Sequence, residues 1–298
     1  MDNSKIIEFY KQFSQFTYPG LYLELLKSLP DNISELGLLV RKSIVHRSTL
    51  VAGNTGTNSD MCFGDISQIP WFRQAKDDNF STASAIFAEL IRRDGRFLVL
   101  DREPKDKLIL TCRYVAIVMA SILKAKGIPT RVRSGFAQYF NSNGDDTCWD
   151  HWIIEYWNVK EHKWIACDVD GSFSMDDKKI DPYYLKENDF YYSTNAWIDI
   201  REGRVTERQF WNAMPYSGLN VVAWKLFYDF HCLMNNEIIY LHHPSIVSLE
   251  NFCILDRKIL NDIDELANLM IDPDKNFEKL QDIWNTNKEF RLLKGALL

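Results

Sequence analysis

The hydrophobic positions of this chain change their period twice. Near the N-terminus they recur three and four apart. Ile6, Ile7, Phe9, Tyr10, Phe13 and Phe16 give one apolar helical face. Pro19-Gly20 breaks it, Leu21 to Leu29 reads as a second short helix ended by Pro30, and Asp31 or Asn32 caps a third that runs to about His46. Glu35 follows Asn32 by three residues, as in a capping box. Val51 to Asp60 is rich in Gly, Asn, Thr and Ser and reads as a loop, and Ser84 to Arg93 returns to helical spacing.

The middle of the chain behaves differently. Thr111 is placed to cap a helix in which Val115, Val118, Met119, Ile122 and Leu123 form the apolar stripe, with Gly127 and Pro129 ending it. Three β-like runs follow, Thr130 to Phe140, Trp149 to Trp157 and Lys163 to Val169. From about Arg201 the spacing is helical again, including Asn220 to Met234 and Asp262 to Met270. Strands between helical flanks predict an α+β fold. Three regions follow: helical residues 1–95, a mixed core over 96–200 and helical residues 201–298. No linker separates them, so a single compact unit is expected. Nine Trp and eighteen Phe supply the core.

Charge narrows the partners. A net charge of −6 without a basic block argues against nucleic acid. The N-terminus has no signal-peptide character and no apolar run is long enough to cross a bilayer, so a cytoplasmic protein without membrane contact is expected. Six cysteines lack the dense spacing of a disulfide scaffold, and free thiols are the expectation.

One of these thiols stands apart. Cys112 opens the central helix, His151 opens the aromatic strand Trp149–Trp157, and Asp168 closes the next strand. A thiol is a strong nucleophile only as thiolate. A neighbouring imidazole supplies that state, and a carboxylate fixes the imidazole's tautomer. The positive end of the helix dipole favours the thiolate further, and first-turn N–H groups suit an oxyanion. If residues 158–161 form a four-residue connection, Trp157 pairs with His162 and His151 lies directly across from Asp168, at about 4.5–5.5 Å between Cβ atoms. A one-residue slip turns Asp168 to the other face.

These residues carry a family likeness. Cys112, then Gly127-Ile128-Pro129-Thr130-Arg131, Gly135, His151-Trp152 and Trp164-Ile165-Ala166-Cys167-Asp168 resemble the transglutaminase-like superfamily, part of the papain-like thiol enzymes, over about residues 108 to 170. Thr111-Cys112-Arg113, residues 131–136, Asp150-His151-Trp152, Tyr18-Pro19-Gly20 and the helical C-terminal third resemble a group of bacterial transglutaminase-domain proteins. The resemblance implies a helix bearing the nucleophile packed on an antiparallel sheet. It implies Cys112 as nucleophile, His151 as base and acid, and Asp168 as orienter; calcium dependence occurs within the superfamily, but no cofactor or metal is expected here. The substrate class it implies is a peptide, protein or small amide or thioester, hydrolysed or transferred. An amide synthase using a carrier-bound thioester and a non-catalytic scaffold are the alternatives. Residues 97–111 contain no Trp or Tyr, which several superfamily members place upstream of the cysteine as an oxyanion donor; Trp71 is far upstream.

Other residues have plainer readings. Asp170 is the alternative third member, two residues beyond Asp168. Cys148 and His151 with Cys167 and Asp168 offer a zinc set, though without a second tight pair. Arg113 is a substrate-carboxylate clamp or, preferred here, a buried ion pair with Asp150 or Asp101. Arg131 and Arg133 share a strand face and line a cleft or are solvated. His46 and His231 are structural, His242-His243 a polar loop, and the Trp/Tyr cluster at 149, 152, 156, 157 and 164 core. Asp145-Asp146 and Asp176-Asp177 are too sparse for a calcium loop.

Overall fold

The computed structural model describes residues 4–46, 79–141, 144–175, 179–213, 216–240, 242–291 and 293–294. The Val51–Asp60 loop, Cys62, Trp71 and Asp176-Asp177 lie outside them.

The α-helices of five or more described residues are, in chain order, α1 (Ser4–Lys11), α2 (Leu23–Lys27), α3 (Ile33–Ser43), α4 (Ala83–Arg93), α5 (Cys112–Ala125), α6 (Ser193–Arg201), α7 (Leu219–Leu233), α8 (Arg257–Met270) and α9 (Phe277–Thr286). The strands are β1 (Ile44–His46), β2 (Leu108–Leu110), β3 (Thr130–Ala137), β4 (Cys148–Asn158), β5 (Lys163–Cys167), β6 (Tyr191–Tyr192), β7 (Phe210–Trp211), β8 (His243–Pro244) and β9 (Leu293–Lys294). One sheet has the order β5-β4-β3-β6, with β7 parallel to β4. The fold is α+β, with Cys112 at the head of a helix that directly follows strand β2.

Several boundaries differ from the hydrophobic pattern. The first helix stops at Lys11, although its apolar face continues to Phe16. Ser14 Oγ accepts from the N–H groups of Phe16 and Thr17, and Thr17 Oγ1 accepts from Ser14 N–H. These side chains offer the backbone an alternative to the helix ladder. Helix α3 is capped by Asn32, which accepts from the N–H groups of Ser34 and Glu35. It ends at Ser43, because β-branched Ile44 and Val45 turn extended and form β1.

Contacts sort the chain into two units. Unit A comprises Tyr10–Arg131 and Ile153–Lys186. In it β1 runs parallel to β2, and the later half of β4 pairs antiparallel with β5. Helix α5 packs against α2, α3 and α4. The hydrophobic spacing predicts one apolar stripe on α5, yet all fourteen of its residues are buried. Of its polar residues, Lys124 donates to Gln12 O. The helix closes on Gly127, at φ 76°, with Ile128 N–H bonded to Leu123 O and Gly127 N–H to Lys124 O. That left-handed cap turns the chain into β3.

Unit B comprises Met1–Phe9, Val132–Trp152 and Glu187–Leu298. Helix α7 packs on α6, and α8 packs on α6 and α9. Trp197, Phe227, Phe230 and Leu266 lie in its core with Phe136 of β3 and Phe210 of β7.

Arg131 and Arg133 correct the reading of a solvated or cleft-lining face. Both are buried. In unit A, Arg131 donates to Glu155 at 2.6 Å and stacks over the Trp164 ring. In unit B, Arg133 makes two bonds of 2.9 Å to the Asp229 carboxylate, which also accepts from Ser134 N–H. Buried charges persist where they are paired and hydrogen-bonded, and both pairs meet that condition. Among the aromatic cluster, Trp152, Tyr156 and Trp157 are buried as expected of core.

Candidate active site

Cys112 is the first residue of α5 and is 5% exposed. Thr111 holds the cap position in extended backbone, but its hydroxyl makes no cap hydrogen bond and is buried without a partner. It is therefore not the side-chain cap that the sequence suggested. The first turn carries no acidic residue of its own, so within the helix nothing offsets its positive end at the thiol. That end stabilises a thiolate. Two other thiols are held in the opposite state. Burial, with Asp146 and Asp145 nearby, pushes Cys148 up to about 11, and burial raises the Cys167 thiol well above its ordinary value. Both stay protonated at neutral pH.

The β1–β2 pairing sets His46 opposite Leu110, two residues before the nucleophile. Within unit A, His46, Cys112 and Asp170 converge, with one ligating atom of each lying within 4.8 Å of the other two. His46 Nε2 stands 3.7 Å from Asp170 Oδ2. Sequence reasoning left His46 as structural. The available signal was local: Ile44-Val45 before His46 and Leu108-Ile109-Leu110 before Cys112 are two short apolar runs of strand character.

Asp168 follows the end of β5 in unit A and is buried. Its Oδ1 accepts from Gly171 N–H at 2.8 Å, and its own N–H donates to Pro182 O at 2.7 Å. The carboxylate thus opens the turn Gly171–Ser174 and is fixed in orientation by it. His151 is a buried residue of β4 in unit B. Phe140 meets its imidazole edge to face, with centroids 4.7 Å apart. Its neighbour Asp150 is an ion-pair partner of Lys225 and accepts from Ala213 N–H.

The expected β4–β5 register is overturned. Trp157 faces Trp164, not His162, and the ladder ends at Ile154 opposite Cys167. His151 and Asp168 are therefore not a directly paired couple in it. Asn158 remains in the strand and its Oδ1 accepts from the N–H groups of Lys160 and Glu161, while His162 takes φ 51°. The connection is residues 159–162, which moves the register by two.

Arg113 also departs from expectation. Asp150 is held by Lys225 and Asp101 by Arg96. Arg113 is fully buried, donates to Ser81 O at 3.3 Å and stacks over the rings of Phe16 and Tyr114. Its guanidinium is packed inside unit A.

Within unit A, the helix-head cysteine, the His46 imidazole and the buried Asp170 carboxylate can support thiol chemistry of the nucleophilic acyl-transfer kind. Among the described residues, no helix is long and apolar enough to cross a membrane. No curated protein and no solved structure matches the chain. Residues 110–169 match the family model of the transglutaminase-like superfamily. That stretch holds Cys112, His151 and Asp168, whereas His46 lies outside it and Asp170 just beyond its end. By this match the segment opened by the helix-head cysteine is a transglutaminase-like one, as the sequence resemblance implied.

Proposed function

We propose that the protein is a cysteine-dependent acyl-transfer enzyme acting on an amide or thioester carbonyl. The observation that carries the reading is Cys112 at the N-terminus of α5, inside the transglutaminase-like segment. The Cys112 thiolate attacks the carbonyl carbon and a thioester forms. His151 takes the thiol proton and delivers it to the leaving group, with Asp168 orienting the imidazole. Water or an amine then releases the acyl group. A hydrolase and a transamidase differ in that acceptor, whereas an amide synthase differs from a transamidase in its donor, a thioester in place of an amide.

A second assignment of the base has its own support. His46 and Asp170 converge on Cys112 within one unit, and they supply the same imidazole–carboxylate chemistry. The pH dependence of iodoacetamide alkylation at each cysteine, read by peptide mass spectrometry in chelator, separates the two. Cys112 is expected to react well below the ordinary thiol pKa of about 8.5 and to lose that in His151→Ala. Loss in His46→Ala alone transfers the role to His46. If Cys112 titrates like the other cysteines in a folded protein, the enzyme reading fails.

A further inference from the structure

We infer that His46, Cys112 and Asp170 form a binding site for a divalent transition metal of the zinc class, and that the metal reversibly silences the nucleophile. Two observations converge. One imidazole nitrogen, one sulfur and one carboxylate oxygen lie within 4.8 Å of one another. This mixed donor set is one that zinc accepts, with the fourth position open. The second is the spacing of the His46–Asp170 pair. At 3.7 Å the two atoms are too far apart for a hydrogen bond. Metal–nitrogen and metal–oxygen lengths near 2.0–2.2 Å set tetrahedral ligands roughly 3.4 Å apart, so the pair already stands close to ligand spacing.

The fold explains why the three meet. Parallel pairing with β2 fixes His46 beside the approach to α5. Asp170 leads into the turn Gly171–Ser174, whose start is tied to Asp168. Cys112 and Asp170 are buried, while the His46 side chain keeps 17% of its surface exposed, which leaves an entry from solvent.

Binding is a substitution that balances. The Cys112 S–H bond breaks, a sulfur–metal bond forms and the proton leaves to solvent. The sulfur lone pair is then committed to the metal and does not attack a carbonyl. The silencing half of this inference rests on Cys112 being the nucleophile proposed above; the binding half does not.

The test is a Co²⁺ titration of the full-length protein followed by its thiolate-to-metal charge-transfer absorption in the near ultraviolet. The wild type and His151→Ala are expected to develop the band with similar affinity. Cys112→Ser should lose it, and His46→Ala and Asp170→Asn should each weaken binding by about tenfold or more. Far-ultraviolet circular dichroism of each variant confirms that the fold persists. Stoichiometric Zn²⁺ should also stop alkylation of Cys112 and release it again on chelation. Absence of the band, its survival in Cys112→Ser, or its loss in His151→Ala with full strength in His46→Ala overturns the site. Failure of the enzyme reading looks different: the band develops as described while Cys112 in chelator shows ordinary thiol reactivity.

Discussion

Asn32 accepts hydrogen bonds of 2.9 and 3.1 Å from the N–H groups of Ser34 and Glu35, whereas Thr111, at the equivalent position before α5, accepts none. The residue types suggest two similar caps; the geometry makes them opposites. Asn32→Ala removes a working cap and is expected to lose about 1 kcal/mol of stability. Thr111→Val keeps the shape and removes a buried hydroxyl that has no partner. It should leave stability within about 0.5 kcal/mol of wild type or raise it, since an unpaired buried polar group is itself destabilising. Urea midpoints at unchanged slope check both. A loss near 1 kcal/mol in Thr111→Val would mean that the hydroxyl does cap the helix. The same variant should leave the pH profile of Cys112 alkylation unmoved, because the dipole at the thiol comes from the backbone.

At the scale of elements, Gly135 shows what a strand position demands. A Cβ there would sit 2.5 Å from Tyr191 O and 2.7 Å from the Phe190 ring, and Gly135 pairs directly with Tyr192 of β6. The obstacle is backbone, so β3 and β6 must part to admit it. Gly135→Ala is expected to destabilise by about 1–3 kcal/mol. Gly95→Ala, which meets nothing within 4 Å, should stay within about 0.5 kcal/mol. Equal midpoints for the two variants would remove the packing argument. Gly135 was legible as part of a family pattern, but its close approach to β6 was not, because a two-residue strand carries almost no periodicity. The register of β4 and β5 teaches the same lesson. A shift by two keeps every side chain on its face, so hydrophobic alternation reads identically for Trp157 opposite His162 or Trp164. What decides is turn chemistry, the Asn158 side chain and the left-handed His162. Cys112 and its helix were legible because their signals are local. His46 was not, because its place depends on a parallel pairing between segments far apart in sequence.

Over the whole molecule, the acid side of the stability curve should carry the mark of one residue that the chemistry does not use. His231 lies in α7 within unit B, buried edge-on against Trp284. Its Nε2 stands 3.3 Å from Phe290 O and its Nδ1 3.1 Å from the Asn236 amide nitrogen. A carbonyl only accepts, so Nε2 carries the proton and donates, while Nδ1 accepts from the Asn236 amide. This is one neutral tautomer satisfied at both ends. Burial pulls the pKa down to about 4, against 6.5 for an ordinary histidine. The folded value is below the unfolded one, so the unfolded chain takes up the proton first. The stability from this group is complete above about pH 6.5 and drains away as pH falls towards 4, by about 3 kcal/mol in all. Glu89, held near 2 by Arg92 and Arg93, gives way mostly below that window. His231→Gln removes the titrating group, so between pH 6.5 and 4 its unfolding free energy should fall less steeply than the wild type's by up to one proton's worth, about 1.4 kcal/mol per pH unit. Urea unfolding at half-unit pH steps measures the two slopes. Parallel curves would mean that His231 takes up its proton in the fold as readily as in the unfolded chain, and would move the acid sensitivity of unit B to other groups.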